Sequence, residues 1–343
     1  MDERKYEVTI GIPVYNIERY IRKMMESALA QTFQSIEYLI CDDCGTDSSI
    51  DIVKEYQNSH YRGADIRILR QPHNMGIGEA RNRLMAEAKG RFFYSLDGDD
   101  SIEENTIELL YQNAQKYNAE IVYGSFDRVF MFDDQVTRVL PCPYPFKVFT
   151  EPDAYAMYAY FNDVQCMHWN CIIDIDVIRR NHLKVAPLGH GYGEDFTYTI
   201  DLPTYITRAV LLPDITYHYY IRSFSKPKDK KLISRVQLDS AIDAIAQKKK
   251  RYELKNKPYY AKRCSMLMMF DYSFACRIIS HREEIVPRYS DREIRNIMWI
   301  PMSLREIVCS QHARKNNFVA WLLWRMPSKI SVWMIKVSMM FRH

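Results

Sequence analysis

Short apolar runs alternate with amphipathic segments in the N-terminal part of the chain, and this alternation restricts the fold more than any other feature. Residues 7–14 read E-V-T-I-G-I-P-V, and a helical pattern follows over 17–29. Further apolar runs, rich in β-branched or aromatic side chains, occupy 36–41, 65–70 and 91–96, with helical patterns near 48–58 and 77–89 between them. Strands that alternate with helices of about 10–15 residues predict an α/β fold with a doubly wound, mostly parallel sheet.

Three polar motifs follow the apolar runs of this pattern. They are P-V-Y-N at 13–16, D-D-C-G-T-D at 42–47 and D-G-D-D at 97–100. In open α/β sheets, ligands bind outside the carboxyl ends of the strands. The sequence therefore predicts that the three motifs contribute to one site.

Local signals predict how several elements begin and end. Asn16 is a natural N-cap for the first helix, and Gly90 stands where a helix C-cap glycine belongs. Gly45 is expected to supply the backbone freedom of the turn that follows the second strand. A hairpin is predicted through Asp133 and Asp134.

The charge of the chain is strongly asymmetric. Residues 1–221 carry 33 acidic and 21 basic side chains, whereas 222–343 carry 10 acidic and 26 basic ones. A hydrophobic content of 47% is that of a globular protein. The acidic N-terminal part suits metal-assisted chemistry, and the basic C-terminal part suits binding to phosphates, nucleic acid or an anionic membrane surface.

The D-G-D-D motif places Asp97, Asp99 and Asp100 in one loop. Like charges this close raise each other's pKa unless a cation neutralises them. Oxygen-only ligands favour Mg²⁺ or Mn²⁺. The alternative is a solvated turn in which the last Asp caps a helix beginning in S-I-E-E.

Cys41 and Cys44 frame a C-x-x-C that invites interpretation as a redox pair or half of a zinc site. Such a zinc site needs a second ligand pair, and spacings such as Cys166 to Cys171 do not supply a convincing one. We interpret the cysteines as incidental and the adjacent carboxylates as functional. The N-terminus shows no apolar signal region, so we expect a cytoplasmic protein.

The motifs P-V-Y-N, D-D-C-G-T-D, N-M-G-I-G-E-A-R-N (74–82) and L-D-G-D-D occur in the order and spacing of glycosyltransferase family 2, a GT-A fold family, and the chain resembles it. The resemblance is close over 7–110 and looser over 165–225. It implies an inverting, metal-dependent hexosyl- or N-acetylhexosaminyltransferase that uses Mn²⁺ or Mg²⁺, a UDP-sugar donor and a glycan or lipid-linked acceptor. Bacterial surface polysaccharide synthesis is the implied process.

A sugar-nucleotide nucleotidyltransferase of similar fold is the alternative enzyme. Those enzymes favour a Gly-rich signature with a Lys or Arg near the first strand, which G-I-P-V-Y-N lacks.

For the nucleobase of the donor, the resemblance to glycosyltransferase family 2 implies that Pro13 and Tyr15 line the pocket and that Asp43 accepts a hydrogen bond from the uracil imide N–H.

For the diphosphate, the resemblance implies that Arg81 faces the phosphates, although a helix salt bridge is the alternative for this residue. Asp97 would contact the ribose or the metal, and Asp99 would bind the metal as the second Asp of a DXD motif. The segment T-Y-H-Y-Y-I-R-S-F-S (216–225) resembles the element in which Arg222 and Ser225 hold the pyrophosphate.

For the acceptor, H-W-N-C-I-I-D (168–174) and G-Y-G-E-D-F (191–196) are similar to the family's acceptor segments. The resemblance implies that Trp169 contacts the acceptor and that Asp195 is the catalytic base, with Glu194 as the alternative base. Inversion requires such a base to take the proton of the attacking hydroxyl. The non-catalytic alternative is that the two carboxylates cap a helix starting near 196.

We therefore expect a catalytic domain over 1–225, with a nucleotide-sugar half (1–118) and an acceptor half (119–225), and a helical basic region over 226–343. No nucleic-acid-binding module accompanies the basic charge, so nucleic acid is not expected as a partner. Pro327, Lys329 and Lys336 interrupt the apolar C-terminal segment, which is not expected to span a membrane. Two interpretations stay open: peripheral attachment to the anionic inner face of the plasma membrane, or helices that close over the core or form a homodimer.

Overall fold

The structure is a computed structural model that describes 5–162, 168–185, 194–222, 234–310 and 313–340. The described residues form two compact units. The first unit comprises 5–155, 168–185 and 202–222. The second comprises 156–162, 194–201, 234–310 and 313–340. The predicted boundary at 225 lies outside the described residues, and two segments that precede it belong to the second unit.

The first unit contains a sheet of ten strands. In chain order they are β1 (Tyr6–Val14), β2 (Ile36–Asp42), β3 (Ile66–Arg70), β4 (Gly90–Ser95), β5 (Ser101–Ile102), β6 (Ile121–Phe132), β7 (Gln135–Cys142), β8 (Lys147–Phe149), β9 (Cys171–Asp174) and β10 (Ala209–Arg222). The helices met along this part of the chain are α1 (Glu18–Leu29), α2 (Ser49–Ser59), α3 (Ile77–Glu87), α4 (Thr106–Tyr117), α5 (Ala154–Phe161) and α6 (Ile175–Arg180).

The strand order is β3-β2-β1-β4-β9-β6-β10-β5, with β7 paired to β6 and β8 paired to β10. β1, β2, β3 and β4 are mutually parallel, as are β6 and β10, and the short β9 runs antiparallel between the two groups. All seven residues of β2 are buried, which is typical of a strand whose two faces are both covered by helices. The predicted α/β class, with a mostly parallel GT-A-type sheet and a helical C-terminal region, is confirmed.

Two of the local predictions are wrong because tertiary contacts override them. Asn16 is not the N-cap of α1: its φ is +51°, the N-cap is Ile17, and the backbone N–H of Glu18 donates to Asp47 from the neighbouring loop, at 2.9 Å. Gly90 is not a C-cap but the first residue of β4. A Cβ there would lie 2.5 Å from the backbone nitrogen of Thr9, so the parallel pairing with β1 requires glycine.

The predicted hairpin is confirmed between β6 and β7. Asp133 and Asp134 form its two-residue turn, and both have positive φ, +45° and +61°. This pair of left-handed residues is what a tight hairpin needs in order to match the twist of its strands.

The second unit is helical in its described part, as expected for the basic region. Its helices after α5 are α7 (Glu194–Thr199), α8 (Arg235–Lys249), α9 (Tyr260–Ser280), α10 (Asp291–Ile297), α11 (Leu304–Cys309), α12 (Arg314–Arg325) and α13 (Ser328–Met340). The long α9 packs against α8, α10, α12 and α13. Within the described ranges, none of the helices is both long enough and apolar enough to cross a bilayer.

A buried carboxylate organises basic side chains in this unit. Asp201 accepts from the guanidinium of the fully buried Arg263. Lys248 and Arg251 lie 3.2 Å and 3.5 Å from the same carboxylate. Burial alone would raise the pKa of Asp201, but the three cations outweigh burial and lower it. The carboxylate is therefore ionised and neutralises part of the excess positive charge.

We predict that Asp201→Asn lowers the free energy of unfolding by about 3–5 kcal/mol, because it leaves a buried guanidinium without a counter-charge. Asp243→Asn, an exposed change on α8, is the control and should cost about 0.5 kcal/mol or less. Urea denaturation followed by tryptophan fluorescence suits this test, since four of the five tryptophans lie after residue 290. Equal denaturation midpoints for the two variants would contradict the assigned role.

Candidate functional site

Asp43 connects the end of β2 to the beginning of α3. Its backbone N–H donates to the carbonyl of Val14 at 3.0 Å. Its carboxylate, on a residue that is only 3% exposed, accepts from the backbone N–H groups of Met75 and Gly76 at 2.7 and 2.9 Å. Negative charge is favoured at the amino end of a helix. An ionised carboxylate has about four acceptor positions, so two backbone donors leave capacity for a further N–H.

The turn after Asp43 differs from the expected one. Cys44, not Gly45, has the positive φ, at +58°, and its thiol donates to the carbonyl of Gln71 at 3.1 Å. Gly45 is needed for space: a Cβ there would lie 2.9 Å from the Oδ1 of Asn16. That Oδ1 accepts from the backbone N–H of Thr46 at 2.7 Å. The side-chain amide of Asn16 therefore joins the loop after β1 to the loop after β2.

The cysteines of the C-x-x-C show no metal-binding arrangement. Cys41 is fully buried on β2, and burial raises the pKa of its thiol to about 12. Cys166 lies outside the described residues. Across the described ranges, no group of three or more His, Cys, Asp or Glu side chains is arranged to hold a metal ion. The zinc and redox interpretations therefore gain no support.

The loop that carries D-G-D-D lies against the end of β1. A Cβ at Gly98 would approach the carbonyl oxygen of Pro13 to 3.2 Å and the Cδ1 of Ile17 to 2.2 Å, so a larger residue would displace the side chain of Ile17. Pro13 itself is buried in β1, whereas Tyr15, just beyond the strand, is 39% exposed. The structure thus brings the first and third motifs together and presents one aromatic ring to solvent.

Asp97 pairs with Arg81 of α3. The guanidinium donates to its Oδ1 at 2.8 Å, and the Nε2 of His168 lies 3.8 Å from the same oxygen. Burial by itself would raise the pKa of Asp97, but Arg81 and His168 outweigh burial and lower it. The predicted helix residue Arg81 therefore does form a salt bridge, and its partner is a carboxylate of the candidate site.

Asp99 pairs with Arg222, the last residue of β10. One guanidinium nitrogen donates to its Oδ2 at 2.8 Å and another to its backbone carbonyl at 2.5 Å. The same guanidinium lies 4.0 Å from the ring centroid of Tyr20. Burial and the negative charge of Asp97 raise the pKa of Asp99 despite Arg222. With 41% of its side chain exposed, Asp99 remains accessible.

Asp100 anchors the loop to β10, a role that the sequence did not indicate. Its two oxygens accept from the hydroxyl of Tyr217 and the backbone N–H of Tyr220, both at 2.8 Å. The residue is buried, and burial, together with the charges of Asp99 and Asp97, raises its pKa well above the ordinary value. It does not cap the next helix, because α4 begins only at Thr106.

Asn82 is a second residue whose role sequence reasoning missed, although it stands inside the A-R-N motif. Its side-chain amide donates to the carbonyl of Val185 and accepts from the N–H of the same residue, both at 2.8 Å. Val185 is the last described residue before the segment that leads to Glu194 and Asp195. Asn82 therefore holds the chain at the start of that segment.

Trp169 lies in an aromatic stack beside β10. Its ring is 4.6 Å from that of Tyr217 and 5.6 Å from that of Tyr219, and Phe126 meets it edge-on. Only 4% of Trp169 is exposed, so the structure shows a packing contact and its acceptor role stays a prediction. The next residue, Asn170, has φ +58° and donates to the carbonyls at 124 and 125.

Three predicted residues are not located by side chain. Glu194 and Asp195 belong to α7 of the second unit, and their side chains lie outside what the structure describes. Ser225 lies outside the described residues altogether. The roles assigned to these three residues remain predictions.

Three motifs lie at the carboxyl end of the parallel strands. Comparison with known proteins shows that the part of the chain containing these motifs is similar to a known family. Residues 9–174 match the sequence model of the family described as Glycosyl transferase family 2. These residues belong to glycosyltransferase family 2. The match spans β1 to β9 and contains Asp43, Arg81, Asp97 and Asp99. Membership of this family favours glycosyl transfer over nucleotidyl transfer.

Curated glycosyltransferases match parts of this chain. Glycosyltransferase GlyG of Streptococcus pneumoniae is 34% identical over 119 residues, covering 35% of this chain and 38% of the relative. Cholesterol galactosyltransferase of Borreliella burgdorferi is 30% identical over 188 residues, covering 52% of this chain and 51% of the relative. The chain thus spans about half or less of the length of these relatives.

Solved structures support the fold. S. aureus TarS 1-349, crystallised in complex with UDP-GlcNAc, superposes with a TM-score of 0.61 over 93% of this chain and 90% of that one. The sequence identity is 17%, so the likeness establishes a shared fold.

We predict that Asn82→Ala accelerates hydrogen exchange at the amide of Val185, because the amide loses the side-chain oxygen that accepts its hydrogen bond. Asn113→Ala is the matched control, since the side-chain amide of Asn113 donates to a carbonyl of its own helix. Hydrogen exchange read by mass spectrometry after peptic digestion measures both. Unchanged protection around 185 in Asn82→Ala would show that the side-chain amide of Asn82 does not restrain the backbone there.

Proposed function

We propose that the protein is an inverting, metal-dependent glycosyltransferase that moves a hexosyl or N-acetylhexosaminyl group from a UDP-sugar to a hydroxyl of a glycan or lipid-linked acceptor. The observation that carries this proposal is the placement of Asp43, Asp97 and Asp99 at the carboxyl end of the parallel strands of a family 2 domain. Bacterial surface polysaccharide synthesis is the proposed process, in keeping with relatives such as chondroitin synthase of Escherichia coli.

The donor half of the proposal rests on complementary chemistry. The exposed ring of Tyr15 offers a face on which a nucleobase stacks. Asp43 is held by two backbone amides and retains acceptor capacity for the imide N–H of uracil. Arg81 and Arg222 supply positive charge for a diphosphate, and Ser225 is proposed beside them. That a TarS structure contains UDP-GlcNAc supports a uridine donor here.

The carboxylates fit a divalent metal. Asp97 and Asp99 offer oxygen ligands, and burial together with the charge of Asp97 raises the pKa of Asp99, an effect that a divalent cation would offset. Mg²⁺ or Mn²⁺ commonly uses one or two carboxylates and completes its shell with phosphate oxygens and water. When bound, such an ion would neutralise charge on the departing UDP. Asp99, which is the more exposed of the two carboxylates, is the proposed principal ligand.

The proton of the acceptor hydroxyl is proposed to pass to a carboxylate oxygen of Asp195, with Glu194 as the alternative acceptor. The acceptor oxygen then attacks the anomeric carbon from the side opposite UDP, which inverts its configuration. Arg81 and Arg222 would hold the diphosphate as its bond to the sugar breaks. Trp169 is proposed near the acceptor, where its packing against Tyr217 would fix the acceptor-side wall.

For localisation we propose the cytoplasm, with two interpretations for the basic region 226–343: attachment to the inner face of the plasma membrane, or homodimer formation. The charge excess of this region supports the first. Its helical packing around α9 is compatible with both.

The decisive experiment screens UDP-sugars by calorimetry with and without MnCl₂. We predict Mn²⁺-dependent binding of at least one donor. Asp99→Asn should weaken Mn²⁺-dependent binding by about tenfold or more, since even outer-shell changes at metal sites cost about 10–100-fold. Asp133→Asn, at the exposed tip of the β6–β7 hairpin, is the charge-matched control and should bind as wild type does.

A second variant separates binding from chemistry. Asp195→Asn should leave donor binding intact and lower the rate of transfer or donor hydrolysis by about 10²- to 10⁴-fold, the usual contribution of a general base. If no UDP-sugar binds and Asp99→Asn behaves as wild type, the proposed activity is wrong. If Asp195→Asn keeps its full rate while Glu194→Gln loses it, the base is Glu194.

A further inference from the structure

The second unit contains a cavity between α9, α12 and α13 that the proposed sugar transfer does not use. Its volume is about 470 Å³, within the range of about 300–1,000 Å³ found for pockets that bury small ligands. Its buried wall is apolar and includes Met268, Leu323 and Ile335. We call it the α9–α13 cavity.

One side of the cavity is open to solvent. Met269, Ser273, Lys315 and Val319 line it and are exposed, and Met269 is 61% exposed. An apolar cavity behind a partly apolar mouth suits a hydrocarbon chain, because each methylene that enters leaves water and meets preformed apolar walls. Methionine side chains adapt readily to flexible alkyl ligands.

The charge of the helices around the cavity favours a ligand that carries negative charge next to its hydrocarbon chain. No acidic residue follows Glu306 in the sequence, whereas α12 and α13 carry five basic side chains: Arg314, Lys315, Arg325, Lys329 and Lys336. None of the five forms an ion pair with any residue that the structure describes. Basic residues elsewhere in the unit do form ion pairs, as Lys248 and Arg263 do with Asp201. The two helices that line the cavity therefore carry uncompensated positive charge, and Lys315 itself lines the cavity.

Exposed apolar side chains continue along the same two helices. Phe318, Ile330 and Trp333 are exposed, and the guanidinium of Arg325 lies 4.7 Å from the ring centroid of Trp324. Exposed aromatic and aliphatic side chains among unpaired cations are typical of helices that lie at the interface of an anionic membrane.

We propose that the α9–α13 cavity binds one hydrocarbon chain of an anionic membrane lipid, with the lipid head group held by Lys315 and the neighbouring basic side chains. This site gives the membrane interpretation of the basic region a specific contact. It does not depend on sugar transfer, because all the residues that form it belong to the second unit.

The test uses the full-length protein and dodecanoyl lysophosphatidylglycerol below its critical micelle concentration, with binding measured by calorimetry. We expect saturable binding of one molecule per chain. The zwitterionic lysophosphatidylcholine of the same chain length should bind more weakly, and glycerol phosphate, which lacks the chain, should give no detectable heat. No binding of the anionic probe by wild type would overturn the proposal.

Ser273→Trp tests the location, because the indole would cover the mouth without altering the buried wall. It should weaken binding by about tenfold or more, since every methylene kept out of the cavity forfeits its share of hydrophobic stabilisation. Ser280→Trp, at the exposed end of the same helix and away from the cavity, is the control and should bind as wild type does. Equal binding by both variants would mean adsorption to the surface and would overturn the proposal.

Val319→Glu provides a second, charge-based variant in case the first does not fold, as judged by circular dichroism. It should weaken binding of the anionic probe, whereas Val308→Glu, an exposed valine outside the cavity, should not. Sedimentation velocity tests whether a second copy of the chain occupies the cavity instead. If the wild type is a dimer and Ser273→Trp dissociates it, the cavity belongs to the dimer interface, which would overturn the proposal of lipid binding. Because no sugar nucleotide is present, these outcomes are independent of the proposed transferase activity.

Discussion

The mutual repulsion of three carboxylates within four residues is the constraint on which the first unit depends. Asp97, Asp99 and Asp100 stand in one loop, and each is held by a different partner. Arg81 comes from α3, Arg222 from the end of β10, and the donors to Asp100 from the last six residues of β10. The loop therefore keeps its form only where α3 and β10 flank it. This requirement ties the order of the strands to the chemistry of the site.

The helix α3 serves the site at several points along its length. Asp43 binds the amides at its beginning, Arg81 pairs with a carboxylate in the loop after β4, and Asn82 holds the backbone at 185. The N-M-G-I-G-E-A-R-N motif thus combines a turn, a helix start and two side-chain contacts. A change at any one of these positions should disturb the others, because they share one short helix.

The sequence predicted the α/β class and the meeting of polar motifs at the strand ends, since both follow from hydrophobic period and the geometry of parallel sheets. Predictions from local sequence signals were wrong at positions whose conformation is determined by contacts with residues distant in the chain. Asn16, Gly45 and Gly90 were each assigned a conformational role, yet contacts with neighbouring loops and strands determine their positions. Asp100 could not be assigned because its partners lie about 120 residues away. Contacts between residues so far apart in the chain leave no recognisable pattern in the spacing of residues along the sequence.

The central claim is that the carboxylates after β4 hold a divalent ion together with UDP. Diffraction at the manganese absorption edge, from crystals grown with UDP and MnCl₂, tests it most directly. The account predicts one anomalous peak in contact with the carboxylate of Asp99 and a diphosphate oxygen. A structure with UDP bound, Asp99 still paired to Arg222 and no anomalous peak beside it would contradict the account.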